Sequence, residues 1–205
     1  MTIKTPYIPH LFGAEAHSKL TEKQGWLTAG VSSSIAWPQD DVWVFYDGNE
    51  YVLHGIKSDD EKGTPCLLTP TSQALRDEAT TRLYKFASIL SWFKGGYVDL
   101  TGTIWGTRPA LFGSRDTFTT LLDGGKFFSC NYMPLIDDEQ TRIALAFMRE
   151  GRRLQHVNAA YSFLSFYKVI ESQFKDKNKK IEWISKNIDQ LENHNKFTWR
   201  SEERR

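Results

Sequence analysis

The sequence predicts an α+β fold: a mixed region of antiparallel hairpins and one long helix over residues 1–136, followed by a helical unit over residues 137–205. Three observations lead to this prediction. Residues 42–53 place aromatic and β-branched side chains on both sides of an Asp-Gly pair, as a β-hairpin does. Residues 137–174 repeat large apolar side chains at helical spacing. Pro134, which acidic residues follow, marks the boundary between the two regions.

The mixed region is expected to begin with a polar, irregular arm over residues 1–24. In the hairpin that follows, the Asp47-Gly48 pair predicts a type I′ turn, because the twist of that turn matches the twist of the strands. Gly102 and Gly106 weaken a later strand or mark a bend in it. The other strands are expected at residues 25–37, 65–68, 97–106 and 126–132.

A long helix is expected over residues 72–94, because its apolar residues recur at spacings of three and four. Gly95 follows directly and is suited to the left-handed conformation that ends many helices. The stripe of this helix that should face the core comprises Leu75, Ala79, Leu83, Phe86, Leu90 and Phe93.

Two adjacent helices are expected at the start of the C-terminal unit. Asp137 and Gln140 stand at capping-box spacing before the first helix, and its nearly unbroken apolar run over 143–148 predicts burial on more than one side. Asn158 is placed to cap the second helix. The core-facing stripe predicted for the second helix comprises Phe163, Phe166, Tyr167, Ile170 and Phe174.

A third C-terminal helix is expected over residues 179–191, and Trp183 points away from its packing seam. That seam comprises Ile181, Ile184, Ile188 and Leu191. Because three helices form a thin bundle, the apolar faces of the second and third helices both need a cover. The sequence therefore predicts a homodimer or a protein partner, with Trp183 as the anchor of the contact.

The bulk composition excludes several classes of protein. With a net charge of +1 in 205 residues, the chain has no overall nucleic-acid signature. No apolar run approaches the length of a membrane span, and the N-terminal segment lacks the apolar stretch of a signal peptide. Cys66 and Cys130 form no CxxC pair, which indicates buried thiols in a reducing compartment. We therefore expect a cytoplasmic protein of a prokaryote, without a membrane contact.

Several segments share a pattern of aromatic residues and glycines. They are RLYKFASILSWF (82–93), GTIWGTRPALFG (102–113), and DEQTRIALAFMREGRR (138–153) followed by YSFLSFYKVIE (161–171). This pattern resembles the bacterial family labelled methylamine utilisation protein MauJ. The label derives from gene neighbourhood and the pattern contains no catalytic signature, so the resemblance implies no particular reaction.

The C-terminal helices of such proteins are also similar to HEPN domains, the helical modules of many prokaryotic ribonucleases, toxins and defence proteins. Those domains continue with further helices, so the resemblance implies a truncated, divergent or self-contained short version. HEPN ribonucleases use a closely spaced Arg and His, and Arg149 and His156 match with six residues between them. About one such match is expected by chance in a chain of this composition. Glu150 also stands where active members favour a small polar residue.

Four arginines of the first C-terminal helix fall within about 100° of arc and form a modest basic face. They are Arg142, Arg149, Arg152 and Arg153. A solvated helix face is one interpretation, and a contact with phosphate groups or an acidic partner is the other. The five histidines fit no metal-ligand spacing, so neither a metal nor a cofactor is expected.

Two functional hypotheses result from these patterns. The favoured one is a non-catalytic interaction or assembly module, as part of a defence or regulatory complex, in which the arginine face and Trp183 contact the partner. The alternative is a HEPN-like, metal-independent ribonuclease. In that case Arg149 would stabilise phosphate charge, His156 would act as base or acid, and RNA would be the substrate.

Overall fold

The computed structural model describes residues 8–55, 65–110, 122–123, 133–174 and 176–187. Its strands are β1 (Leu11–Phe12), β2 (Trp26–Ser33), β3 (Trp37–Pro38), β4 (Val42–Tyr46), β5 (Asn49–His54), β6 (Cys66–Pro70), β7 (Val98–Gly106) and β8 (Leu122–Asp123). Its α-helices are α1 (Ala14–Glu22), α2 (Arg76–Lys94), α3 (Glu139–Leu154), α4 (Ala159–Gln173) and α5 (Lys177–Asn187). A 3-10 turn, Gln73–Leu75, precedes α2. The predicted α+β class is confirmed.

Six strands form one antiparallel sheet in the order β1-β4-β5-β6-β2-β7, and β3 pairs with β8 in a separate parallel pair. Side chains alternate between the two faces of the sheet. Leu27, Val44 and Leu53 belong to the core that α2 covers. Trp26 and Trp43, their neighbours in sequence, belong to a smaller cluster that α1 covers on the other face. The sheet is therefore buried on both faces, and this explains the near-continuous apolar runs of its strands.

The turn between β4 and β5 has the geometry that its residues predict. Asp47 and Gly48 have φ values of 50° and 72°, and Tyr46 pairs with Asn49 across the turn. Positive φ at both central residues defines a type I′ turn. The sequence prediction is confirmed, and the turn brings Asp47 to the end of the sheet near α3.

Helix α2 is the main cover of the sheet. Leu83, Phe86 and Leu90 are fully buried, and the Phe86 ring stacks on Tyr51 with 4.1 Å between centroids. Gly95 adopts the left-handed conformation predicted for it, with φ 75°. Leu75 differs from the predicted stripe, because it lies in the 3-10 turn, outside the regular phase of the helix, and is 45% exposed.

The N-terminal segment contains a helix that was not predicted from the sequence. The arm expected over residues 1–24 includes α1, and this helix buries only Ala16 and Leu20 against the sheet. Two apolar residues at i and i+4 give too weak a periodic signal in a polar nine-residue segment. The strand expected over residues 126–132 lies outside the described residues.

The hairpin of α3 and α4 confirms one predicted cap and corrects the other. The Asn158 side chain accepts a hydrogen bond from the Tyr161 amide, as expected of an N-cap. At the start of α3 the cap is Asp138, which accepts from the Thr141 amide, rather than Asp137. The run over 143–148 is not buried on several sides, because only Ala144 and Leu145 are buried in it and Ile143 is 43% exposed.

The buried face of α4 differs from the predicted aromatic stripe at Phe163 and includes two serines that the stripe did not. Ser162 and Ser165 are buried, whereas Phe163 is 67% exposed. The cause is the close approach of α3 and α4 at Gly151, where an added Cβ would lie 2.8 Å from the Phe166 ring. The Ser162 hydroxyl also donates to the Gly151 carbonyl. The two serines face α3 because the backbones are close, and Phe163 is turned outward. The other residues of the predicted stripe, Phe166, Tyr167, Ile170 and Phe174, are half-buried.

Helix α5 begins two residues before its predicted start. Ile181, which was expected in a packing seam, is 50% exposed. Ile184 is half-buried, and Ile188 and Leu191 lie outside the described residues. The division of the chain into units 1–136 and 137–205 stays a prediction, although Leu145 of α3 packs into the same core as α2.

Candidate functional site

A cleft with a cavity of about 220 Å³ lies between α2, α3 and the β4–β5 hairpin. Its cations come from two helices. Arg82 and Lys85 are three residues apart on α2, and Arg142 and Arg149 are two turns apart on α3. These spacings place each pair on one face of its helix. We refer to this site as the cationic cleft.

The charges in the cationic cleft are unevenly compensated. Arg142 donates from Nε to the Ile136 carbonyl at 2.8 Å and has both carboxylates of the cleft beside it, Glu139 at 3.6 Å and Asp47 at 4.0 Å. Arg82 and Arg149 have no comparable ion pair within the part of the chain that the structure describes. Arg142 is therefore neutralised by its neighbours, and the excess positive charge lies on the other cations.

Arg149 is held against an aromatic wall. Its guanidinium carbon lies 5.1 Å from the centre of the Tyr84 ring, which is a cation-π contact. Its Nη1 is buried and, among the described residues, has no hydrogen-bond partner. The same is true of Nε of Arg82. Desolvation lowers the pKa of Arg149 below its usual value, although Asp99 and Tyr84 act in the opposite direction. The group stays charged, because an arginine starts far above neutral pH.

The remaining arginines of the predicted basic face join α3 to the first region. Arg152 donates from Nη1 to the carbonyls of Ser91 and Gly96, both at 3.2 Å, at the C-terminal end of α2. A cation at this end also suits the helix dipole. Arg153 pairs with Asp99 of β7 at 2.8 Å. The four arginines thus contact the α+β region instead of facing only solvent, and their assignment to partner binding stays a prediction.

The proposed catalytic pair is not gathered in one cavity. Arg149 lines the cationic cleft, whereas His156 is exposed in the turn between α3 and α4. His156 lines neither of the two cavities beside Arg149. Trp183, the predicted anchor, is 45% exposed on α5, and its ring lies 5.7 Å from that of Phe174.

A second polar cluster, which sequence reasoning missed, surrounds Asp41. The two carboxylate oxygens contact His17 Nδ1 at 2.6 Å and His54 Nδ1 at 2.7 Å, and one also accepts from the Gly55 amide. Burial alone would raise the pKa of Asp41, but the hydrogen bonds and charge of His54, with help from Gly55 and His17, lower it overall. No sequence signal could have found this cluster, because its members lie on separate elements.

The Asp41 cluster can orient an imidazole, since a carboxylate on Nδ1 determines the role of Nε2. His17 is half-exposed beside a cavity of about 350 Å³ that Ser18 and Thr21 also line. His54 is buried, and its contact ties β5 to the segment before β4. In the residues the structure describes, no group of three His, Cys, Asp or Glu side chains is placed to hold a metal ion.

No helix among the described residues is long and apolar enough to cross a membrane.

Comparison with known proteins gives one match. No curated protein and no solved structure shows significant similarity to this chain. One family model matches residues 144–202, a segment that begins inside α3 and includes α4 and α5. The segments of α2 and β7 that carried part of the resemblance lie outside this match. Over residues 144–202 the chain matches the family described as Methylamine utilization protein MauJ, and the resemblance read from the sequence is confirmed there.

Proposed function

We propose that this protein is a non-catalytic interaction module that forms a homodimer through α4 and α5. The observation that supports this proposal is the outer face of α4, which is apolar and uncovered. Phe163 is 67% exposed and Leu164 is 50% exposed, on the side of the helix opposite Ser162 and Ser165. Val157 and Tyr161, at the start of α4, are 80% and 61% exposed. Single exposed apolar residues are common, but a group of this size marks an interaction surface.

The exposed area approaches what a dimer contact needs. An aromatic side chain presents roughly 150–250 Å². At their exposed fractions, Tyr161, Phe163 and Trp183 therefore offer roughly 300–400 Å². Val157 in the turn before α4, Leu164 of α4 and Ile181 of α5 are exposed as well. A specific interface buries about 800 Å² on each partner, including its polar rim, so the apolar part of such a contact is already present.

Charged groups beside this surface are paired within the protomer. Glu171 accepts from Lys168 at 2.7 Å and from Lys180 at 3.3 Å, which also joins α4 to α5. An apolar contact would therefore not leave these charges without partners when it excludes water. A second copy presents the same apolar face, and two-fold contacts between identical surfaces are the commonest form of association.

Light scattering over a concentration series tests the homodimer. We expect the wild-type protein to be dimeric at high micromolar concentration. Phe163→Glu and Trp183→Ala should shift the equilibrium toward monomer, because one places a charge in the contact and the other removes its anchor. Leu75→Glu is the matched control, since Leu75 is 45% exposed on a helical turn of the other region.

A wild-type protein that stays monomeric at high micromolar concentration would refute the homodimer. A protein partner of different sequence would then be the remaining occupant of the surface. Dissociation by Leu75→Glu would equally contradict the assignment to α4 and α5. A cytoplasmic setting is a further part of the proposal and rests on the cysteine usage and the composition. A bacterial source and a role in a defence or regulatory complex rest on the sequence resemblance.

The alternative function is a HEPN-like, metal-independent ribonuclease. One observation favours it: Arg149 lies in a cleft with several other cations, where a phosphate group could be held. The exposed position of His156 disfavours it. An assay with mixed single-stranded RNA, with and without divalent metal, should show no cleavage. Cleavage that disappears in both Arg149→Ala and His156→Ala would replace the interaction module with the ribonuclease.

A further inference from the structure

We propose that the cationic cleft binds a small molecule that carries a phosphate monoester group. This site lies on α2, α3 and the β4–β5 hairpin, and it would add a ligand to a protein whose proposed association uses α4 and α5. The argument rests on the charges of the cleft, on two buried donors and on the size and lining of the cavity.

The first step concerns charge. Three cations of the cleft, Arg82, Lys85 and Arg149, lie within 4.0 Å of no carboxylate among the described residues, whereas both carboxylates of the cleft are beside Arg142. Like charges gathered on facing helices repel one another and disfavour the compact state. An anion between α2 and α3 would relieve this repulsion.

The second step concerns hydrogen bonding. Buried donors in folded proteins nearly always have partners, and each exception calls for a reason. Arg82 Nε and Arg149 Nη1 are buried without a hydrogen-bond partner in the described part of the chain. They belong to different helices that face the same cavity. When the two guanidinium groups turn toward a ligand bound in the cleft, its acceptor oxygens would give both donors a partner.

The third step identifies the ligand chemistry. Guanidinium groups match the oxygens of carboxylates and phosphates and form strong, charge-assisted hydrogen bonds with them. A carboxylate carries one charge and two oxygens. A phosphate monoester carries up to two charges and three terminal oxygens, which suits two guanidiniums and the ammonium of Lys85. The cleft has four cations and two carboxylates, a net charge of +2, and three of its cations are unpaired, so it favours phosphate.

The fourth step concerns size. The cavity of about 220 Å³ equals roughly seven water volumes. This space suits a phosphate with a short organic group. Tyr46, Tyr84 and Ile143 line the cleft beside the cations, so an apolar or aromatic group has a surface to contact. The combination favours a small phosphorylated metabolite.

Titration calorimetry at constant ionic strength, with chloride as the balancing anion, tests the proposal. The probes are phenyl phosphate, inorganic phosphate and benzoate. Phenyl phosphate should bind saturably, inorganic phosphate more weakly, and benzoate roughly tenfold more weakly than phenyl phosphate, because it lacks one charge and one oxygen. Benzoate binding as tightly as phenyl phosphate, or no saturable binding by the wild-type protein, would overturn the proposal.

Matched variants locate the site. Arg149→Gln and Arg82→Gln should each weaken phenyl phosphate roughly tenfold, since each removes a charged donor to the ligand. Arg76→Gln, the same change on an exposed position of α2 outside the cleft, should leave the affinity unchanged. Thermal melting checks that each variant is folded. If Arg149→Gln does not fold, the affinity of Arg82→Gln, on the other helix, tests whether phenyl phosphate binds in the cleft. Unchanged affinity in the folded cleft variants would refute the assignment.

Discussion

The α+β region and the C-terminal helices bury their apolar residues very differently. Among the described residues, every buried hydrophobic side chain except Ala144 and Leu145 lies in the first region. The C-terminal helices, by contrast, expose Val157 and Phe163 by 80% and 67%. The first region supplies nearly all of the core on both faces of the sheet, to which α3 adds Leu145, whereas α3 and α4 approach each other closely at Gly151 and Ser162. Stability should therefore reside mainly in the first region, and association in the second.

The largest effect is expected from the core of the first region. Phe86→Ala should lower the free energy of unfolding by about 3–5 kcal/mol, because it removes a fully buried ring that stacks on Tyr51. Chemical denaturation measures this loss. A loss below about 1 kcal/mol would contradict the division of roles between the two regions.

Acid should weaken the first region through His10. Burial, followed by the nearby charge of Lys94, lowers the pKa of His10 to about 4. Its unfolded pKa is about 6.5, so between these values the unfolded chain binds a proton that the folded protein does not. Stability should thus be unaffected above pH about 6.5 and fall by up to about 1.4 kcal/mol per pH unit toward pH 4.

The measurement for His10 is the denaturation midpoint as a function of pH. His10→Gln should flatten the decrease between pH about 6.5 and 4. Asp41 contributes little in this window, because its pKa is lowered from 3.8 and its stabilising effect is lost mainly below that pH. A decrease that persists in His10→Gln would show that another group causes it.

A smaller effect is expected where the two regions meet. Arg152→Met should cost about 1–2 kcal/mol, since it removes charged hydrogen bonds to the Ser91 and Gly96 carbonyls at the end of α2. Arg153→Met removes the ion pair with Asp99. Because the Arg153 side chain is 58% exposed, the free energy of unfolding should fall by less than about 1 kcal/mol. Equal losses in denaturation would show that Arg152 has no special role in joining the regions.

The smallest effect on folding is expected at Phe163. The aromatic stripe read from the sequence would make Phe163→Ala cost about 2–5 kcal/mol, as a buried phenylalanine does. The structure leaves this ring 67% exposed, so we expect the monomer to lose less than about 1 kcal/mol. Denaturation at low protein concentration separates this value from any loss of dimer. A larger loss there would place Phe163 in a core.

Local rules predicted the elements whose signals are contained in a few neighbouring residues. The type I′ turn at Asp47-Gly48, the left-handed Gly95 and the Asn158 cap were all predicted, because each depends on the backbone preference or side chain of the residue itself. The long stripe of α2 was predicted for the same reason, since its period is repeated over five turns.

The candidate site was predicted only in part. Arg142 and Arg149 were identified as members of a basic face, but their division into one neutralised and one uncompensated cation depends on Asp47 and Glu139. Arg82 belongs to no sequence motif. It is part of the site because α3 packs against α2 and closes the cleft beside it. The Asp41 cluster likewise joins residues that are distant in sequence.

The sequence by itself determined the class of fold, the type I′ turn, the Gly95 helix end and the Asn158 cap, since these follow from backbone preferences and from periodicity along single segments. Tertiary structure decided which face of α4 is buried, because the close approach at Gly151 admits Ser162 and Ser165 and turns Phe163 outward. It also decided where charge is left uncompensated, because the partners of a guanidinium are set by packing between elements. Hydrophobic periodicity identifies a helix with an apolar side, but the geometry of the neighbouring backbone determines which side is covered.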